Sequence, residues 1–216
     1  MQKPLYVSFA CLFLLTFCLF SCNRKSEAAR TEQLRPGLSP QEQAELECLS
    51  KGDRICESGL SFAQLNDTLA AITLPDMDPE AIQDSSISRG GYTWLTRTIH
   101  LNVGRVVLEG AFFDDRQVND TLLSASLINR IRIESPLLST TGGIHTGNRV
   151  SDLEEILGKK DWLIQAVPGY GVLQIQVGDS RISYLIPQGT IKNEADGTIN
   201  RRKLPPDAEI IALVVM

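Results

Sequence analysis

Two histidines, His100 and His145, are the only imidazoles in the chain, and general-base or nucleophilic catalysis near neutral pH usually recruits a histidine or a poised carboxylate beside a reactive group. His100 follows Tyr92, Trp94, Thr96 and Thr98 at a spacing of two, the period of a strand, and reads as a sheet-face residue. His145 stands in the glycine-rich stretch Thr140-Thr141-Gly142-Gly143-Ile144-His145-Thr146-Gly147, just ahead of a helix amino terminus. Free backbone donors at such a place can hold an anion, which makes His145, Gly143 and Gly147 ligand-site candidates. The glycines lack phosphate-loop spacing and no Gly-Lys-Ser follows, so a strand-to-helix turn explains them more simply. An enzyme using His145 is the third-ranked reading.

Other catalytic vocabulary is missing. There is no Gly-x-Ser-x-Gly, no His-Glu-x-x-His and no cysteine cluster with zinc spacing, so neither a metal site nor a cofactor is expected. The acidic neighbours Asp114-Asp115 and Glu154-Glu155 point in different directions on any regular element and make poor acid–base pairs. Four aromatics, Tyr92, Trp94, Trp162 and Tyr170, could stack on a sugar or an apolar ligand, and a small-ligand or glycan-binding module is the second-ranked reading. Core packing is the plainer account of those rings.

The cysteines say more. Cys11 and Cys18 lie in an apolar run from Leu5 to Phe20, behind Lys3 and ahead of the small residue Ser21, the three parts of a secretory signal. The run has about 16 apolar positions against the roughly 20 needed to span a bilayer, so export outranks spanning. With Cys22 set aside, Cys48 and Cys56 remain, and a leftover pair in an exported protein reads as a disulfide. Eight residues along one helix would part them by roughly 12 Å, whereas a disulfide tolerates under about 7 Å between α-carbons. A helix must therefore stop between them, and Gly52-Asp53 supplies the stop.

Leu19-Phe20-Ser21-Cys22 resembles the lipobox of bacterial lipoproteins. That resemblance implies acylation of Cys22 by diacylglycerol and palmitate, removal of residues 1–21, and a membrane anchor rather than a span. Asn23 in place of Asp implies the outer membrane, and Asn23-Arg24-Lys25 does not match an acidic surface-export signal, which leaves the periplasmic face. Removing the signal takes Lys3 alone from 21 basic and 26 acidic residues, so the net charge falls from −5 to −6. A chain so balanced has no electrostatic footprint for nucleic acid.

Residues 22–38 are too polar to pack and read as a flexible tether. The body, 39–216, is expected to be α+β, with short capped helices on antiparallel sheet. Ser39, Pro40 and Glu42 spell a capping box for a helix to about Lys51. Ser61 to about Ile72 repeats the grammar, with Phe62, Leu65, Leu69 and Ile72 on one face. Strands follow at Tyr92–Leu101, Arg105–Phe113 and Leu127–Glu134. A helix capped by Ser151 and Glu154 and closed by Gly158 leads into strands Trp162–Val167, Tyr170–Val177 and Arg181–Ile186, with a last strand at Ile210–Val215. Gly59, Leu65 and Leu69 recur as Gly147, Leu153 and Leu157, which suggests two tandem helix-plus-meander units, 39–134 and 135–216.

Residues 136–187, with Pro136, Thr141, Gly143-Ile144, Gly147, Leu153 and Leu157-Gly158 ahead of a meander, resemble a pattern in uncharacterised envelope lipoproteins. The element order is also similar to the small lipoprotein of the β-barrel assembly machine and, if duplicated, to β-lactamase inhibitory protein. These likenesses carry over no functional residue. The leading expectation is a non-catalytic, lipid-anchored periplasmic protein that binds another envelope component through a sheet face or edge.

Overall fold

The computed structural model describes residues 38–72, 78–89, 92–112, 125–158, 160–191 and 198–216. The signal, Cys22 and all of the tether but Leu38 lie outside them. Helix α1 (Pro40–Leu49) opens on the expected box: Ser39 N donates to Glu42 Oε2 at 2.7 Å, and Glu42 N to Ser39 Oγ at 3.3 Å. The Ser39 N–H, and with it the Ser39 hydroxyl at 2.8 Å, donate to the ionised Glu42 carboxyl and hold it below its ordinary pKa.

After α1 the body is mainly sheet. Short strands β1 (Arg54–Ile55), β2 (Gly59–Leu60) and β3 (Ala63–Gln64) precede the meander β4 (Ile82–Arg89), β5 (Tyr92–His100), β6 (Arg105–Phe112) and β7 (Arg130–Glu134). Then come β8 (Ser139–Thr140), helix α2 (Val150–Leu157) and a second meander, β9 (Trp162–Val167), β10 (Val172–Val177), β11 (Ile182–Pro187) and β12 (Ala212–Val215). The two meanders join through their last strands into one eight-stranded antiparallel sheet, β4-β5-β6-β7-β12-β11-β10-β9. At the seam Ile133 stands opposite Leu213 and Ile131 opposite Val215. Strand β1 pairs in parallel with β8, away from the main sheet.

This corrects the α+β expectation. Among the described residues there are two α-helices, of 10 and 8 residues, against an eight-stranded sheet, and the protein is mainly β. The overturned element is the helix expected over Ser61–Ile72. Its backbone pairs outward instead: Asn66 N donates to Ile128 O, Ile128 N to Asp67 O, and Leu69 N to Ser126 O, all within 2.9 Å. Asn66 sits at φ 70°, a left-handed conformation that asparagine tolerates, and Asp67 Oδ2 takes the N–H of Gln64 at 2.8 Å. Local polar bonds thus break the helix that the apolar spacing suggested, leaving one 3₁₀ turn, Leu69–Ala71. The expected pair of tandem helix-plus-meander units is therefore not found: with no helix at Ser61–Ile72 to match α2, the two meanders form one continuous sheet.

Alternation sorts the sheet's two faces. On one side Leu95, Ile99, Leu108, Ile131, Ile133, Leu173, Ile175 and Leu213 form the main core, covered by Leu60, Leu69, Ile144, Val150 and Leu153 from the connecting segments and α2. Each such fully buried aliphatic side chain contributes about 1.5–3 kcal/mol. On the other side Leu185, Ala212 and Val214 cluster with Val167 and Val172, every one a residue of the sheet itself. No helix among the described residues contributes to that second cluster.

Cys48, in the last turn of α1, and Cys56, just past β1, are joined by a disulfide with 6.0 Å between α-carbons. The helix ends at Leu49 and the chain turns back over 50–53, as the spacing required.

Candidate functional site

The structure disperses the residues singled out from the sequence. Around His145 the backbone donors are committed: Gly143 N bonds Thr140 O at 2.9 Å, Ile144 N bonds Thr140 Oγ1 at 3.1 Å, and Gly147 N bonds Ile210 O at 2.8 Å. His145 N reaches Asn148 Oδ1 at 2.8 Å, and its ring Nδ1 lies 2.7 Å from Thr146 O. Gly143 and Gly147, at φ 84° and 91°, give the turn the left-handed residues it needs and leave no anion cradle. Helix α2 starts two residues before the expected Ser151 cap: Asp152 Oδ2, not Glu154, takes the N–H of Arg149 at 2.8 Å. Arg149 is the extended N-cap residue and is bridged to Glu209.

Trp94 and Trp162 do not meet. Trp94 lies on β5 and points away from the main core, whereas Trp162 lies on edge strand β9, packs on that core and carries the Arg201 guanidinium 4.0 Å from its ring centre. His100 is exposed at the end of β5, opposite Arg105. Among the described residues, no three His, Cys, Asp or Glu side chains gather as metal ligands would.

What the fold does assemble is on the face opposite the main core. Strand β7 reads Arg130-Ile131-Arg132-Ile133-Glu134, so the isoleucines enter the core while Arg130, Arg132 and Glu134 rise on the other side. Strand β6 sets Glu109 opposite Arg130 and Arg105 opposite Glu134. Glu134 divides its carboxylate, taking the Arg105 Nε bond on Oε2 at 2.6 Å and standing 3.1 Å from Arg132 Nε with Oε1. Arg130 Nη1 donates to Glu109 Oε2 at 3.4 Å. The Nε atoms of Arg130 and Arg132 are buried without a hydrogen-bond acceptor, the 3.1 Å ion pair of Arg132 being out of line for one. Three guanidinium groups against two carboxylates leave one positive charge in excess on this strip.

A cavity of about 320 Å³ opens over the strip. Glu109, Arg130, Arg132 and Glu134 form one wall; Val167, Tyr170, Val172, Leu185, Ile211 and Ala212 form the other. These residues come from β6, β7, β12, β11, β10, β9 and the turn between β9 and β10, so the sheet must curl for them to share one hollow. Tyr170, on that turn, keeps 56% of its surface exposed. Of the sequence candidates, Tyr170 alone belongs here. The volume is at the small end of ligand pockets, and an apolar wall facing a few charged groups is their usual composition. No nucleophile–base pair lines it, so the arrangement is one for binding.

In the sequence, Arg130, Arg132 and Glu134 alternate with isoleucines at the period of a strand, which puts them on one face without marking a site. The partners Glu109 and Tyr170 lie 21 and 40 residues from Arg130 and are joined to it only by strand order. No helix among the described residues is long and apolar enough to cross a membrane. Comparison of the chain with protein-family models, with curated proteins and with solved structures finds no match in any of the three.

Proposed function

We propose that this chain is a non-catalytic lipoprotein of the bacterial envelope, anchored through acylated Cys22 at the periplasmic face of the outer membrane, and that it binds another envelope component on the open face of its sheet. The signal ending in Leu19-Phe20-Ser21-Cys22 motivates the anchor, and the Cys48–Cys56 disulfide is in keeping with an oxidising compartment. The observation that carries the binding role is the cavity on that face, lined by an arginine–glutamate strip and by apolar residues of the second meander. Palmitate labelling in the native host is expected on the wild-type chain and lost in Cys22→Ala; labelling that persists contradicts the anchor. Envelope crosslinking followed by pull-down is expected to capture a discrete partner, and recovery of a bare monomer counts against the binding role. A small-ligand module is the second reading, favoured by Tyr170 at the cavity rim.

A further inference from the structure

The cavity is more specific than a sticky face. Resting on the reading of the open face as a binding face, we infer that it receives a carboxylate carried on an apolar body, either a free amphiphilic acid or the carboxy terminus of a peptide whose last residue is apolar.

Two independent features of the walls select that chemistry. On the charged side, Arg130 and Arg132 each keep a buried Nε–H without an acceptor. A buried donor left unmet costs about 1–3 kcal/mol, more for a charged group, and an acceptor entering the cavity removes that cost once the guanidinium turns to meet it. Arginine is also suited to the task, because its planar fork meets both oxygens of a carboxylate at once. Within the cavity's own lining the two guanidinium groups balance two carboxylates, Arg105 lying outside it, so the unmet Nε–H donors rather than net charge select an acceptor, for which Glu109 and Glu134 compete.

On the other side, Val167, Val172, Leu185, Ile211 and Ala212 offer no hydrogen-bonding side chain. An ion alone would leave that wall wet, and an apolar group alone would leave the two Nε–H groups without an acceptor. A ligand with both halves satisfies both walls, with Tyr170 at the rim to lie against its body. The volume of about 320 Å³ accommodates a group no larger than a phenylalkyl acid or one terminal residue with its neighbour.

Calorimetric titration of the purified full chain separates the two sources. The probes are 4-phenylbutyrate against 4-phenylbutanol, and acetyl-Gly-Gly-Phe with a free carboxylate against its amide. Binding by at least one acid is expected, with its neutral counterpart at least tenfold weaker. Preference for the phenylbutyrate identifies a free acid, and preference for the peptide identifies a chain terminus. Arg130→Gln and Arg132→Gln are each expected to weaken binding about tenfold or more. Should either fail to fold, Glu109→Gln supplies the opposite sign: losing a competing carboxylate should tighten binding severalfold. The inference is overturned if neither acid binds, if the neutral probes bind equally well, or if folded arginine variants bind unchanged. Partner capture from the envelope that survives while both acids fail removes the carboxylate and leaves the binding face standing.

Discussion

Arg97 grips both oxygens of Asp84, its partner across the β4–β5 ladder, with Nε on Oδ1 and Nη2 on Oδ2 at 2.8 Å each. The same guanidinium sends Nη1 to the carbonyls of Leu69 and Ile72, at 2.7 and 3.2 Å. One side chain therefore ties the 3₁₀ turn of the covering segment to the edge of the sheet. The hydrogen bonds it donates to Asp84 raise the arginine's pKa above its usual value, against the opposing effect of burial. Arg97→Ala is expected to cost about 1–3 kcal/mol, chiefly by taking their charged donor from the Leu69 and Ile72 carbonyls, since Asp84 at the exposed edge can turn to water. Arg97→Lys should recover only part of this, because an ammonium cannot make the fork and reach two further carbonyls together. Urea denaturation monitored by circular dichroism measures both.

Tyr184 supplies a pH dependence. It is buried in the main core, and desolvation, with a smaller contribution from the Glu57 charge, pushes its phenol up to about 12. The unfolded chain loses this proton near pH 10 while the folded chain keeps it, so unfolding is increasingly favoured as pH rises between the two values. Stability from this group is complete below about pH 10 and falls by about 3 kcal/mol on passing through 12. Tyr184→Phe should flatten that limb of the profile, as read from denaturation midpoints at pH 9, 10.5 and 12.

The Cys48–Cys56 bridge closes a short loop between the end of α1 and β1. Its removal in a Cys48→Ala, Cys56→Ala double variant is expected to cost about 2.5 kcal/mol by the chain-entropy relation. Thiol titration of the unfolded native protein should find neither cysteine free, and two free thiols would contradict the pairing.

These features differ in how openly the sequence carried them. The strands at Tyr92, Arg105, Trp162 and Val172 were legible because each is rich in aromatic, β-branched or other apolar residues and is bounded by turn signals. The capping box of α1 was legible because it is local: Ser39 and Glu42 need only each other. Strand β4 was not, since Gln83, Asp84, Ser85 and Ser86 are exposed at the sheet's edge and carry no apolar period. The false helix at Ser61–Ile72 failed for a different reason. Phe62, Leu65, Leu69 and Ile72 do turn to the core, but residues 126–128, some sixty positions away, hold the backbone there. The cavity was least legible, because alternation could place Arg130 and Arg132 on one face but could not reveal that Val167, Tyr170 and Val172 line one hollow with them.

The open face as the binding face can be tested directly with a photoreactive p-benzoylphenylalanine in place of Tyr170, at the cavity rim. A control in place of Ile156, exposed on helix α2 behind the covered side, completes the pair. Irradiation of intact envelopes should give a discrete adduct from position 170 and none from position 156. An adduct from 156 alone, or indistinguishable products from both positions, would contradict it.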